Sequence, residues 1–232
     1  LLLIAVGKAR PITRDLFPTG GKSAAAAIRG ASPLKLQVGD TLSIRDALYS
    51  SLLGSDNIAA HTLANYVGFD LLQRQTKQGD AVKAFVKEMN KLAKALGMHR
   101  TKFVDPHGLG LNNGMTVGKS TASDLARLAI MAMKSQALTF MVKQETRIVT
   151  VTRANLKEEK ITLKNTNQLL GKQGVVGLKT GFTATAGQCL STIAAKKSIV
   201  TEVEEGKKTL RHRELVVILL GSQDRFKQTS DL

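Results

Sequence analysis

Between Ser43 and about Ser135 the apolar residues of this chain recur at helical intervals. Ser43 and Asp46 stand at capping-box spacing, and Ile44, Ala47, Leu48 and Leu52 follow on one face until Gly54 interrupts it. Ile58, Ala59, Leu63, Ala64 and Val67 predict a second helix. Asp80 is positioned to cap a third, with Val82, Phe85, Val86, Met89, Leu92, Ala93 and Leu96 inward and Gly97 just past its end. Thr121 and Asp124 repeat the capping spacing ahead of Leu125, Leu128, Ala129, Ala132 and Met133, a fourth helix.

Beyond about Thr139 the pattern becomes extended. Residues 146–152 and 161–165 flank the charged stretch Lys157-Glu158-Glu159-Lys160, which predicts a hairpin turning there. Further strands are expected at 177–183, 188–195 and 214–220, and the polar, basic stretch 196–213 reads as a long surface connection between the last two. A helical lobe, about residues 1–138, followed by antiparallel strands, about 139–232, predicts a single α+β domain.

Composition narrows the functional classes. With 43% hydrophobic and 22% charged residues the chain can bury a core. Its 34 Lys and Arg against 18 Asp and Glu give +16, a balance suited to an acidic polymer, an anionic membrane surface or nucleic acid. Nucleic acid is disfavoured, because there is no zinc spacing and no aromatic-rich RNA-binding motif. A single cysteine, Cys189, excludes an internal disulfide, and its apolar neighbours predict a packed core thiol. The run Leu1-Leu2-Leu3-Ile4-Ala5-Val6 is too short for a membrane span and reads as the tail of a helix begun earlier.

Two tripeptides carry chemistry. Ser55-Asp56-Asn57 falls in the break between the first two helices, and Lys179-Thr180-Gly181 lies on a strand. Each alone is a weak signal, since Ser55 could be a plain N-cap and Lys179 a solvated strand lysine. A serine acyl-transfer enzyme, however, must activate a hydroxyl, hold a carboxylate and present oxyanion donors. Ser55 and Asn57 on a helix-helix turn can pass a proton to a leaving amine and hold a peptide carbonyl. Lys179 and Thr180 can address a terminal carboxylate, and Gly181 lets substrate lie close to the backbone.

The flanks extend the two motifs into a resemblance. Residues 47–60, Phe103-Val104-Asp105-Pro106-His107-Gly108-Leu109, residues 120–126, Asn165-Thr166-Asn167, and 176–183 with 186–190 resemble, in order, the D-alanyl-D-alanine carboxypeptidase family of penicillin-binding serine enzymes. The likeness implies the serine β-lactamase/transpeptidase-like fold, here expected to lack its first strands and last helix. It implies hydrolysis of the terminal D-Ala of peptidoglycan stem peptides through an acyl-serine, outside the cytoplasmic membrane, with β-lactams as further ligands. Ser55, Asn57 and Lys179 are then expected to be catalytic, with Thr180, Gly181, Phe182 and Thr183 in substrate binding and the Phe182 N–H as an oxyanion donor. No metal or cofactor is implied, and membrane association is expected only through segments outside the chain.

The departure from the family concerns the nucleophile. Ser32-Pro33-Leu34-Lys35 has the family's Ser-x-x-Lys form, but Gln37-Val38-Gly39-Asp40 follows at once, so no helix can lift Lys35 one turn above Ser32. The true motif is expected ahead of Leu1, and the chain as it stands is expected to be inactive. A non-catalytic peptidoglycan-binding homologue is the alternative. His107 is expected at the rim of the site, while His61, His99 and His212 are too irregularly spaced for a metal.

Overall fold

The computed structural model describes residues 16–18, 32–111, 116–204 and 207–232. The apolar run Leu1-Leu2-Leu3-Ile4-Ala5-Val6 lies outside them. Helix α1 spans Ile44–Leu53, α2 Asn57–Arg74, α3 Ala81–Ala95 and α4 Ala122–Met133, each starting where the sequence predicts to within a residue or two. Their caps account for the starts, because the Ser43, Asp80 and Thr121 side chains accept from the amides of Asp46, Lys83 and Asp124. Two short helices, α5 (Gln136–Val142) and α6 (Arg225–Ser230), were not predicted. The first occupies the junction expected to turn extended: Ser135 caps it, and Leu138, Met141 and Val142 are buried on one side of it.

The strands form two antiparallel sheets. In the first, β1 (Leu16–Pro18), β2 (Thr41–Ser43), β3 (Thr146–Thr152) and β4 (Glu158–Lys164) lie in that order. The hairpin turns three residues earlier than its charges suggested, with the Arg153 amide bonded to the Lys157 carbonyl, so that Glu158, Glu159 and Lys160 belong to β4. In the second sheet β5 (Val175–Thr183) is an edge strand beside β6 (Gly187–Glu204), which pairs with β7 (Lys207–Ser222). The stretch 196–213 is therefore a ladder of paired strands, where a surface connection was expected.

The cores explain how the lobes meet. Leu48, Tyr49, Leu53, Leu63, Val67 and Phe85 bury the facing sides of α1, α2 and α3 against Leu42, Val149, Val151 and Leu163 of the first sheet. The α2–α3 approach depends on Gly68, where a Cβ would fall 1.7 Å from the Ala81 carbonyl oxygen. A second core joins Ala129, Ala132, Leu138 and Val142 to Leu178 and Ile193 of the second sheet. Arg153 ties the turn before β2 to the β3–β4 hairpin through Asp40 at 2.8 Å and Glu159 at 2.6 Å. No single helix among the described residues is long and apolar enough to cross a membrane.

Candidate active site

Ser55 sits in the turn from α1 to α2 with φ 58°, a left-handed conformation that costs a non-glycine residue about 1–2 kcal/mol. Asp56 holds it there. Its buried carboxylate caps α2 through the Ala59 amide and accepts the hydroxyls of Ser50 and Ser32, each at 3.0 Å. The N-cap is therefore Asp56, and the Ser55 hydroxyl is left for the cleft. Ser32 is committed to this network, and Lys35, exposed beyond a turn at φ 50°, is not poised above it. Asn57, the first residue of α2, lines the same cleft as Ser55.

Strand β5 brings Lys179 to Ser55. Its Nζ donates to Ser55 Oγ at 2.6 Å and to the Thr180 carbonyl at 2.6 Å. Burial, and secondarily the charge of Arg225, bring the amine down to about 8, so it is not a solvated strand lysine. Lys179, Gly181 and Thr183 share one face of β5 by the two-residue period of a strand. With no strand on its other side among the described residues, β5 presents a free edge, along which an extended peptide can add main-chain bonds.

A brace that the motifs did not reveal sets the Ser55–Lys179 separation. The Thr166 amide and hydroxyl both donate to the Leu53 carbonyl at the end of α1, at 3.0 and 3.1 Å, and Thr166 Oγ1 lies 2.7 Å from Thr180 Oγ1. Thr166 has spent its proton on Leu53, so Thr180 donates to it. The buried Thr180 hydroxyl is thereby engaged inside the protein, which leaves Thr183 as the more open hydroxyl of the strand.

Arg225, at the start of α6, is a cleft-lining side chain that sequence reasoning passed over. Its guanidinium donates to the Gly181 carbonyl at 2.7 Å, stacks 4.9 Å from the Phe226 ring centre and leaves Nε buried without a partner. Two cations, Lys179 and Arg225, thus converge on one end of the cleft, an arrangement suited to a carboxylate.

The cleft encloses about 810 Å³ between the lobes, and Ser55, Asn57, Lys179, Thr180, Gly181, Phe182, Thr183 and Arg225 all line it. Phe182 is 68% exposed at its rim. His107 faces it from the loop before α4, with Nδ1 2.9 Å from Asp105. Burial alone would raise the Asp105 carboxyl, but the His107 hydrogen bond and the Gly108 amide outweigh it and hold the group at about 2. His61 stacks on His107 with ring centres 5.9 Å apart and is pushed below its ordinary value by burial. Cys189 is half-buried in the cleft wall, not packed in a core as expected, because β6 turns it toward β5's Gly181 at the open end. No cluster of three or more His, Cys, Asp or Glu among the described residues could hold a metal ion.

Comparison with known proteins agrees with this fold. The D-alanyl-D-alanine carboxypeptidase family profile matches residues 1–203. A D-alanyl-D-alanine endopeptidase of Pseudomonas aeruginosa is 36% identical over 159 residues, 67% of this chain and 45% of that protein. A D-alanyl-D-alanine carboxypeptidase of Streptomyces sp. strain K15 is 35% identical over 167 residues, 71% of this chain and 54% of that one. The chain thus spans about half the length of these curated relatives. The crystal structure of the Streptomyces K15 DD-transpeptidase superposes with a TM-score of 0.78 at 26% identity, covering 99% of this chain and 81% of that one. Penicillin-binding protein D2 of Listeria monocytogenes, in its ampicillin-bound form, gives 0.69 at 28% identity over 99% of this chain and 79% of that one. The helical lobe and antiparallel sheets accordingly have a common explanation, which is that this chain belongs to the D-alanyl-D-alanine carboxypeptidase family.

Proposed function

We propose that the protein is a serine-type D-Ala-D-Ala carboxypeptidase acting on peptidoglycan stem peptides outside the cytoplasmic membrane, and that β-lactams occupy the same cleft. The observation that carries this reading is the 2.6 Å contact between Lys179 Nζ and Ser55 Oγ beside a free strand edge. An amine brought down to about 8 exchanges protons readily near neutrality. Ser55 and Lys179 together would return the proton of an attacking hydroxyl to the departing D-Ala nitrogen. Lys179, Arg225 and Thr183 would hold the terminal carboxylate, Asn57 a peptide carbonyl or side chain of the stem peptide on the acyl side of the scissile bond, and the Phe182 N–H the oxyanion that develops on the penultimate D-Ala carbonyl. Thr180 would serve by fixing the strand through Thr166.

In this reading the attacking serine is neither Ser32, whose hydroxyl is bonded to Asp56, nor Ser55, which accepts from Lys179 and would serve as a proton carrier. Release of the acyl group distinguishes a carboxypeptidase from a class A β-lactamase, which uses a Glu-x-x-x-Asn loop for its hydrolytic water. Glu88, Glu145, Glu158 and Glu159 lie between the two motifs, and none has Asn four residues on. The protein expressed from its complete reading frame should release D-Ala from a diacylated Lys-D-Ala-D-Ala peptide and hold a stable penicillin adduct. Rapid steady-state penicillin hydrolysis without D-Ala release would make it a β-lactamase. Peptide binding with neither reaction would leave the non-catalytic peptidoglycan-binding homologue.

A further inference from the structure

The second sheet carries an arm that the cleft does not use. Strand β5 pairs with β6 only as far as Val175 opposite Ala194, whereas β6 and β7 stay paired from Lys196 opposite Arg213 to Glu204 opposite Lys207, with register shifts between Lys196 and Ile199 and between Glu202 and Glu204. Nine residues of β6 at roughly 3.3 Å each make a two-stranded ribbon on the order of 30 Å long. Such a ribbon is marginal alone in water.

Its side chains are arranged in an order that ordinary solvation does not require. Lys196 stands directly opposite Arg213, a like-charge cross-strand pair that weakens the ladder, with Lys197 and Arg211 alongside. All four are exposed, and none makes an ion pair among the described residues. Just outward, Val200 and Leu210 face each other across the strands at 58% and 56% exposure. The exposed Lys207 and Lys208 follow toward the tip, where Glu202 stands opposite Lys208. The aliphatic pair thus has a cluster of cations on its base side and Lys–Glu cross-strand pairs, Glu202 with Lys208 and Glu204 with Lys207, on its tip side.

We infer that this arm docks the protein on an anionic phospholipid surface, with Val200 and Leu210 entering the headgroup boundary and Lys196, Lys197, Arg211 and Arg213 pairing with lipid phosphates. Anionic headgroups would relieve the Lys196–Arg213 repulsion, and the aliphatic pair would gain burial that the fold denies it. A soluble polyanion would satisfy the cations but leave Val200 and Leu210 in water. A second copy of the chain, approaching ribbon to ribbon, would add like charges to like. Membrane contact would then come from the described domain itself, where the sequence placed it only in segments outside the chain.

The experiment is co-sedimentation of the purified chain with phosphatidylcholine vesicles, with and without phosphatidylglycerol, across a salt series. The chain should partition to the phosphatidylglycerol vesicles alone and be released by salt. A basic side chain near such a surface contributes roughly fivefold in partitioning, so Lys196→Glu with Arg213→Glu should lower it by at least about tenfold. Val200→Ser with Leu210→Ser should weaken it at constant charge. Unchanged circular dichroism and an unchanged Lys179 titration in both variants separate loss of docking from loss of fold or of the cleft. Equal binding to both vesicle types, or binding indifferent to the charge reversal, overturns the inference. So does binding to a soluble polyanion without vesicle binding, or a dimer that the same substitutions dissolve.

Discussion

Lys179 Nζ lies 2.6 Å from Ser55 Oγ, although 124 residues separate them in the chain. The contact joins the break in the helical lobe to the edge of the second sheet, and it exists because Thr166 links the last carbonyl of α1 to Thr180. An amine in that position is desolvated on most sides and shares its field with Arg225.

Lys179 should therefore titrate near 8 in the free protein. Below that pH the amine is charged in folded and unfolded chains alike, and above the ordinary lysine value near 10.5 it is neutral in both. Between the two the unfolded chain holds the extra proton, so stability rises with pH across this window, by about 3 kcal/mol at most. Affinity for a carboxylate ligand should fall over the same rise, since the neutral amine no longer pairs with it. Carbon-13 titration of labelled lysines, with Lys179→Met identifying the signal, tests both. A Lys179 signal that moves only near 10.5 would refute the assignment.

Ser32 should be structural. Its hydroxyl donates to Asp56, so Ser32→Ala should lower stability by about 1 kcal/mol. Whatever covalent labelling a fluorescent penicillin gives on a denaturing gel should be the same with and without the substitution. A labelled band that vanishes in Ser32→Ala would make Ser32 the nucleophile and reverse the reading of the turn at 32–35.

Asp56 should matter more than its neighbour. It is 1% exposed and accepts from two serine hydroxyls and the Ala59 amide. Asp56→Ala leaves those donors unmatched and removes the α2 cap, for a loss of about 2–4 kcal/mol. The strained Ser55 turn should relax with it, and the Lys179 titration should move. A melting curve like that of the unaltered protein, with Lys179 still near 8, would show that the turn does not depend on this carboxylate.

The residues themselves determined a good deal. Helices α1 to α4 were legible because a cap and a 3.6-residue apolar period are local properties, written within a few positions of one another. The strands at 146–152 and 177–183 were legible by the same logic, as was the family, since its motifs are short and contiguous. Tertiary structure decided the rest. Helix α5 forms because its apolar side packs under β5, a partner distant in the chain. The stretch 196–213 is strand because its two halves pair with each other, which composition does not reveal. Arg225 joins the site, and Thr180 is turned inward to Thr166, through contacts between segments far apart in sequence. A hydrogen bond across 124 residues leaves no periodicity behind it, so its geometry could be read only once the chain was folded.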